Sequence, residues 1–294
     1  MSDAQKALAQ WREQGRFFEF EEHQVFYQDS QDANKPVLVM LHGFPTSSWD
    51  WQEIWPRLTQ YFRVITFDFL GFGFSDKPNL PKYSIMMQAS IAEALVNASG
   101  VAEYHLLAHD YGNTVAQELL ARNQENPDAK ILSCVFLNGG LFPEVHRPLL
   151  TQKLLRGPFG KFFARMASLR SFVSSFNTIC AVKLPRDVLQ EHFNLLAREN
   201  GRHCMVKLVG YMDERALHRE RWVGSVVNSA IPLRFINGIE DPISGLHMAA
   251  RFEELVPNPD VIKLSGIGHY PQNEAPDNVL RAAISFWQSH NVIE

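Results

Sequence analysis

Short apolar runs recur along the chain, with polar stretches of helical spacing between them. The first two, 17–20 and 24–28, are separated by a polar turn and predict an opening hairpin. Runs at 37–41, 64–67, 105–108, 131–137, 233–236 and 261–264 follow. Several are continuously apolar rather than alternating, as strands buried on both faces of a parallel sheet must be. Segments 84–99, 114–123 and 277–289 have helical composition and spacing, so strand and helix alternate. The expected class is α/β: a mostly parallel eight-stranded sheet flanked by helices.

The rhythm stops after the sixth strand. From 139 to 230 no strand pattern occurs, too long a stretch for a simple βα connection. Pro185, Arg186 and Asp187 open a helix there and Gly201 closes it. Met205, Leu208, Val209 and Met212 then continue at helical spacing. We expect a helical cap at 139–230, inserted between two parts of one core, 1–138 and 231–294. Its large side chains (Phe159, Phe162, Phe163, Met166, Phe172, Phe176) suggest an apolar small-molecule substrate.

The candidate chemistry sits where strands end. Leu106-Leu107-Ala108-His109-Asp110-Tyr111-Gly112 places a small residue two positions either side of Asp110, between a buried strand and a helix. That is the pattern of a nucleophile elbow, in which the small residues permit a tight turn that projects the central side chain. Asp110 also has an N-cap reading, the lesser one, since aspartate favours helix starts. Asp241, in Asn237-Gly238-Ile239-Glu240-Asp241-Pro242, and His269, in Gly266-Ile267-Gly268-His269, also follow strands. Nucleophile, acid and histidine in that order, each after a strand, point to Asp110, Asp241 and His269 as one catalytic set. His42 and His109 read as loop-stabilising residues. The loop Asp68-Phe69-Leu70-Gly71-Phe72-Gly73 fits neither the dinucleotide nor the Walker pattern, so no nucleotide is expected.

Composition narrows the rest. At 294 residues the chain can bury a large core without disulfide or metal staples. Twenty-eight basic against 32 acidic residues give a net charge of −4, with no field for gathering phosphates, so no nucleic-acid partner is expected. The three cysteines are widely spaced and the histidines lack ligand spacing, so neither metal nor other cofactor is expected. Residues 1–15 are polar, unlike a signal peptide, and no apolar run is long enough to span a membrane. The expected setting is the cytoplasm, with no membrane partner. Oligomeric state is left open.

An aspartate nucleophile restricts the reaction. A carboxylate is ionised at neutral pH and attacks sp³ carbon without a base, leaving an alkyl ester. Histidine then activates water to hydrolyse that ester. Epoxides, haloalkanes and haloacids meet this requirement.

Segments HGFPTSSWDW, DFLGFGFSDKP, AHDYGNTVAQELL, IEDP and GHYPQNEAP resemble the epoxide hydrolase and haloalkane dehalogenase branch of the α/β-hydrolases over nearly the whole chain. The resemblance implies the α/β-hydrolase fold with a helical cap after strand six, and Asp241 rather than Glu240 as the acid. It also implies an oxyanion hole from the backbone N–H groups of Phe44 and Tyr111. Tyr211 matches a cap tyrosine that protonates an opening epoxide, whereas no second tyrosine occurs earlier in the cap. Trp222 is the candidate indole donor for a halide, and with Tyr211 it completes the expected substrate-binding set. Tyr111 and Phe44 stand where dehalogenases carry halide-holding residues, which favours epoxide hydrolysis over haloalkane cleavage. A ligand-binding relative with little turnover is the rival of another class.

Overall fold

Strands β1 (Arg16–Phe20), β2 (His23–Asp29), β3 (Val37–Leu41), β4 (Arg63–Phe67), β5 (Tyr104–Ala108), β6 (Ile131–Phe136), β7 (Leu233–Gly238) and β8 (Val261–Leu264) form one sheet. The structure, a computed structural model, describes residues 1–126 and 130–294. The strand order is β1-β2-β4-β3-β5-β6-β7-β8. β1 and β2 pair antiparallel, as does β2 with β4, and every later pairing is parallel. The strands lie where the apolar runs predict, within two residues at each end.

The helices outside the insertion, up to β6, are α1 (Asp3–Gln14), α2 (Trp55–Leu58), α3 (Ile85–Ala98) and α4 (Tyr111–Glu125). Between β6 and β7 come α5 (Leu150–Arg156), α6 (Gly160–Met166), α7 (Leu169–Ile179), α8 (Arg186–Ala197), α9 (Gly201–Leu208), α10 (Tyr211–Leu217) and α11 (Arg219–Val227). After β7 follow α12 (Leu246–Leu255), α13 (Pro271–Glu274) and α14 (Pro276–Ser289).

The sheet is covered on both faces because its strands are apolar on both. β3 sends Val39 and Leu41 into one core, shared with Ile91 of α3, Val115 of α4 and Phe252 of α12. Leu38 and Met40 enter the other, with Trp11 of α1 and Trp287 of α14. Each such side chain, fully buried, contributes roughly 1.5–3 kcal/mol. The polar segment at the N-terminus is helical rather than irregular: Ser2 and Gln5 form a capping box, and Ala4, Leu8 and Trp11 turn inward.

The insertion departs from expectation at Gly201. Helix α8 stops at Ala197, and Gly201 opens α9 instead of closing α8. Glu199, at φ +55°, makes the turn. A side chain at Gly201 would meet the Leu196 carbonyl oxygen at 1.9 Å, so glycine serves a close approach there. Met205, Leu208 and Val209 are accordingly separated from Met212 by a break before α10. Helix α11 lies along α4, where Ser225 Oγ donates to the Gln117 carbonyl at 2.9 Å.

β3 pairs with β4 on one side and β5 on the other. The chain therefore leaves β3 in one direction and later returns on its opposite flank. The loops after β3 and β5 diverge at this switch point and open a crevice above the carboxyl ends of the strands.

Candidate active site

Asp110 occupies that crevice, between β5 and α4, at φ +46° and ψ −103°. Such a backbone costs an L-residue about 1–3 kcal/mol and persists only when its surroundings dictate it. Here they do. The Asp110 amide donates to the Asn138 carbonyl at 2.8 Å, and Leu137 N donates to the Ala108 carbonyl at 2.7 Å. A Cβ on Gly112 would lie 2.2 Å from the Leu41 carbonyl oxygen, and one on Gly139 would lie 2.7 Å from Asp110 Cα. Glycine at both positions lets the turn close.

The two carboxylate oxygens of Asp110 are in different surroundings. Oδ2 accepts the Phe44 backbone N–H at 3.1 Å. Oδ1 lies 3.9 Å from His269 Nε2 and 3.9 Å from Arg215 Nη2. The side chain is buried, yet Oδ1 faces two nitrogens without bonding to either. Tyr111, whose backbone N–H was expected to be the second oxyanion donor, begins α4 directly after Asp110, with its ring fully buried against Phe69, Phe72 and Tyr211.

His269 is held from its far side. Its Nδ1 stands 2.7 Å from Asp241 Oδ2, which also accepts from Ser244 Oγ at 2.6 Å and Asn138 Nδ2 at 3.0 Å. Asp241 Oδ1 accepts from Ile243 N at 2.8 Å. Burial works against the charge on Asp241, but the His269 ring and these hydrogen bonds outweigh it and hold its pKa at about 2. Burial likewise disfavours the His269 imidazolium, while Asp241 and then Asp110 lift its pKa to about 9. Glu240 is exposed and takes no part.

Glu274, which lies within the segment GHYPQNEAP but has no role assigned from sequence, fixes the histidine loop. Its Oε2 accepts from Gly268 N, Ala181 N and Val182 N, and its Oε1 from Tyr270 N. His42 accepts from Phe69 N at Nε2, which leaves its Nδ1 proton for the Gly43 carbonyl, a loop brace. Burial, and then the nearby His269, lowers the pKa of His109 to about 4, and its Nε2 lies 2.8 Å from the His269 carbonyl. Among the described residues no cluster of three or more His, Cys, Asp or Glu is arranged to hold a metal.

The cap supplies Tyr211 and two residues that the sequence did not single out. The Tyr211 hydroxyl lies 3.4 Å from Gln152 Nε2. Gln152 is oriented by its other end, since Oε1 accepts from Leu149 N at 2.8 Å. Arg215, one turn after Tyr211, is also buried. Its Nε donates to Thr114 Oγ1 at 2.7 Å and its Nη2 to the Asp110 carbonyl at 3.1 Å. The guanidinium lies over the Tyr211 ring, 4.5 Å from its centroid. Burial, and then the charge of Asp110, pushes the Tyr211 hydroxyl above its ordinary pKa.

Trp222 is a correction. Its indole N–H donates to Glu118 Oε2 at 2.8 Å, and its helix, α11, is packed on α4, outside the cavity wall. The same carboxylate receives Arg122 and Arg221, so the indole belongs to a buried structural network and has no proton to offer a halide.

A cavity of about 280 Å³ rises from His269 and Phe44 into the cap. Phe163, Phe172, Phe176 and Phe193 contribute to its walls, whereas Phe159 and Phe162 point to solvent. His269, Phe44 and Gln152 line this apolar chamber, while Asp110, beside His269, and Tyr211, beside Gln152, are themselves buried.

Comparison with known proteins agrees with the architecture. The alpha/beta hydrolase fold family matches residues 36–276. The mesoderm-specific transcript protein of Mus musculus is 39% identical over 296 residues, covering 96% of this chain and 88% of that protein. The putative hydrolase LipZ of Mycobacterium tuberculosis is 36% identical over 282 residues, 95% of this chain and 97% of its own. Among solved structures, haloalkane dehalogenase DbeA from Bradyrhizobium elkani USDA94 superposes with a TM-score of 0.79 at 22% identity, over 94% of this chain and 97% of that one. At that identity the likeness is one of fold.

Proposed function

The chain belongs to the α/β-hydrolase family, and from that premise we propose that it hydrolyses an apolar epoxide through an ester on Asp110. The observation that carries the reading is the split environment of the Asp110 carboxylate: Oδ2 tied to the Phe44 N–H, Oδ1 free.

In the first half-reaction Oδ1 attacks a ring carbon and the C–O bond of the epoxide breaks. The departing oxygen takes the proton of Tyr211. Because the Tyr211 oxygen is where Gln152 Nε2 points, its own hydrogen is left for the substrate. Burial raises the phenol's pKa and so works against proton release, and the Arg215 cation over its ring opposes that by favouring the phenolate that results. The ester carries no charge on Asp110, so His269 loses one of the groups that hold its proton.

In the second half-reaction neutral His269 takes a proton from water through Nε2. The hydroxide adds to Cγ of Asp110, and the Phe44 and Tyr111 N–H groups receive the oxyanion on Oδ2. Collapse breaks the Cγ–Oδ1 bond, and the proton still on the added oxygen passes to the departing alkoxide. The Tyr211 phenolate regains from solvent the proton that His269 released on esterification, so that Asp110 is again a carboxylate and His269 an imidazolium. The diol leaves with the carboxylate's original oxygen, and the water oxygen stays on Asp110. Epoxide and one water give one vicinal diol, with no redox partner needed.

Haloalkane cleavage by the same Asp110 is the second reading. Gln152 Nε2, aimed into the same corner as the Tyr211 hydroxyl, is the N–H donor that favours it.

The test is the intact mass of a His269→Gln variant after exposure to panels of epoxides and haloalkanes. An adduct of the whole epoxide mass, absent when Asp110 is also replaced by Ala, is expected. An adduct equal to a haloalkane less hydrogen halide would establish the second reading instead. No adduct from either panel would leave a low-turnover ligand binder.

A further inference from the structure

We propose that the outer face of the cap docks on an anionic lipid surface and presents the mouth of the cavity to it. Residues 145–186 contain eight basic side chains (Arg147, Lys153, Arg156, Lys161, Arg165, Arg170, Lys183 and Arg186) and no acidic one. With the whole chain at −4, a segment of +8 leaves the remainder at −12. Among the described residues only Arg156 of these eight is in an ion pair, with Asp213. All eight are exposed. A run of exposed bases thus lies in one segment of an otherwise acidic protein.

Apolar side chains stand among these charges. On α6, Lys161, Phe162, Arg165 and Met166 follow at i, i+1, i+4 and i+5 and so share one face, which the structure leaves in solvent. Phe162 is 60% exposed, Met166 64%, and Phe159, at the start of the helix, 71%. Leu150 on α5 is 70% exposed and Val182, after α7, 44%. Half of the ten large hydrophobic residues exposed among those described fall in this one segment. Interspersed bases and solvent-facing aromatics are the composition of a surface that rests in a headgroup layer.

The cavity opens on the same side. Thr151, Met166, Ser168 and Ser171 line it and are also exposed, so its rim is formed by α5, α6 and the start of α7. A membrane seated there meets an apolar chamber directly.

The charge selects among occupants. A second copy joined through this face would bring like charges together, whereas an anionic leaflet attracts each exposed base. No helix among those described is long and apolar enough to cross a membrane, so the contact is a peripheral one. It revises the expectation of no membrane partner, which rested on the lack of a span. The docking does not rest on the Asp110 chemistry and is measured without substrate.

The experiment is co-sedimentation of the full chain with vesicles of phosphatidylcholine alone or with about one-third phosphatidylserine. Binding to the acidic vesicles is expected to exceed that to neutral ones about tenfold and to weaken with added salt. Lys161→Glu with Arg165→Glu should reduce it by about tenfold or more. Phe159→Ser with Phe162→Ser should weaken it at unchanged charge, and both variants should keep the parent's circular dichroism and thermal midpoint. Absence of binding to acidic vesicles, or binding that both variants retain, would overturn the proposal. So would retention on immobilised polyglutamate without vesicle binding, which would assign the face to an acidic protein. A dimer that the Phe159/Phe162 variant dissolves would assign it to a second copy.

Discussion

His269 Nε2 lies 3.9 Å from Asp110 Oδ1, close enough for the two charges to act on each other and too far for a hydrogen bond. The imidazolium therefore does not mask the oxygen that would attack, although Asp110 helps to keep that imidazolium protonated. The two halves of the proposed reaction need opposite states of this ring, and the charge on Asp110 links them.

That linkage sets the pH dependence. In the resting protein His269 titrates at about 9, so it is protonated below that pH. Ester formation uses the Asp110 carboxylate and the Tyr211 proton but not a neutral His269, and so proceeds there. Hydrolysis needs neutral His269, whose pKa drops once Asp110 is esterified. Quenched single turnovers should show more ester by intact mass at about pH 6 than at about pH 9. The hydrolysis rate should rise with pH and level off below 9. A pattern with more ester at the alkaline end would rule out His269 as the base.

Glu274 ties the histidine loop to the cap. Four backbone N–H groups, from Ala181, Val182, Gly268 and Tyr270, converge on its two oxygens. In Glu274→Gln one of those oxygens becomes an NH₂ that cannot accept. A loss of about 2–3 kcal/mol in chemical denaturation is expected, the range for breaking buried charge-assisted hydrogen bonds. Turnover should fall with little change in KM, because the displaced loop carries His269 while the aromatic walls at Phe163, Phe172, Phe176 and Phe193 stay in place. An unchanged denaturation midpoint would contradict this role.

Trp222→Phe separates structure from substrate binding. It removes the indole N–H from Glu118 while Arg122 and Arg221 still hold that carboxylate. About 1–2 kcal/mol of stability should be lost, with kcat/KM unchanged in the folded protein. A rise in KM at unaltered stability would return the indole to the site.

The contrast between Trp222 and Asp110 shows what the sequence could carry. Asp110, Asp241 and His269 follow strands whose apolar runs mark their own ends, so their meeting at the carboxyl edge of a parallel sheet follows from local pattern and topology. Trp222 was chosen by side-chain type, and type does not say which way a helix faces. Gln152 reaches Tyr211, Arg215 reaches Asp110, and Glu274, besides its near neighbours Gly268 and Tyr270, reaches Ala181, contacts that span 59 to 105 residues of the chain. No spacing rule reaches so far. Helix α1 was not read from the sequence: the polar composition of residues 1–15 hid both the Ser2–Gln5 capping box and the inward stripe of Ala4, Leu8 and Trp11.

Tyr211 and Gln152 allow the proposed ring opening to be tested apart from ester hydrolysis. Tyr211→Phe removes the proton that an opening epoxide would take and leaves Asp110, His269 and Asp241 in place. Loss of a general acid costs about 10²–10⁴-fold, so epoxide-dependent ester formation should slow by that order. Gln152→Leu keeps the phenol but removes the N–H that faces its oxygen. Its effect should be smaller, about tenfold, from one lost hydrogen bond near the reacting groups. Hydrolysis of ester already formed should be unaffected in both, because that step runs through His269 and the Phe44 and Tyr111 N–H groups. Rapid-quench measurement of the two rates distinguishes the cases. Equal slowing of both steps would mean that Tyr211 supports the site as a whole, and Arg215, stacked on its ring, would become the next residue to replace.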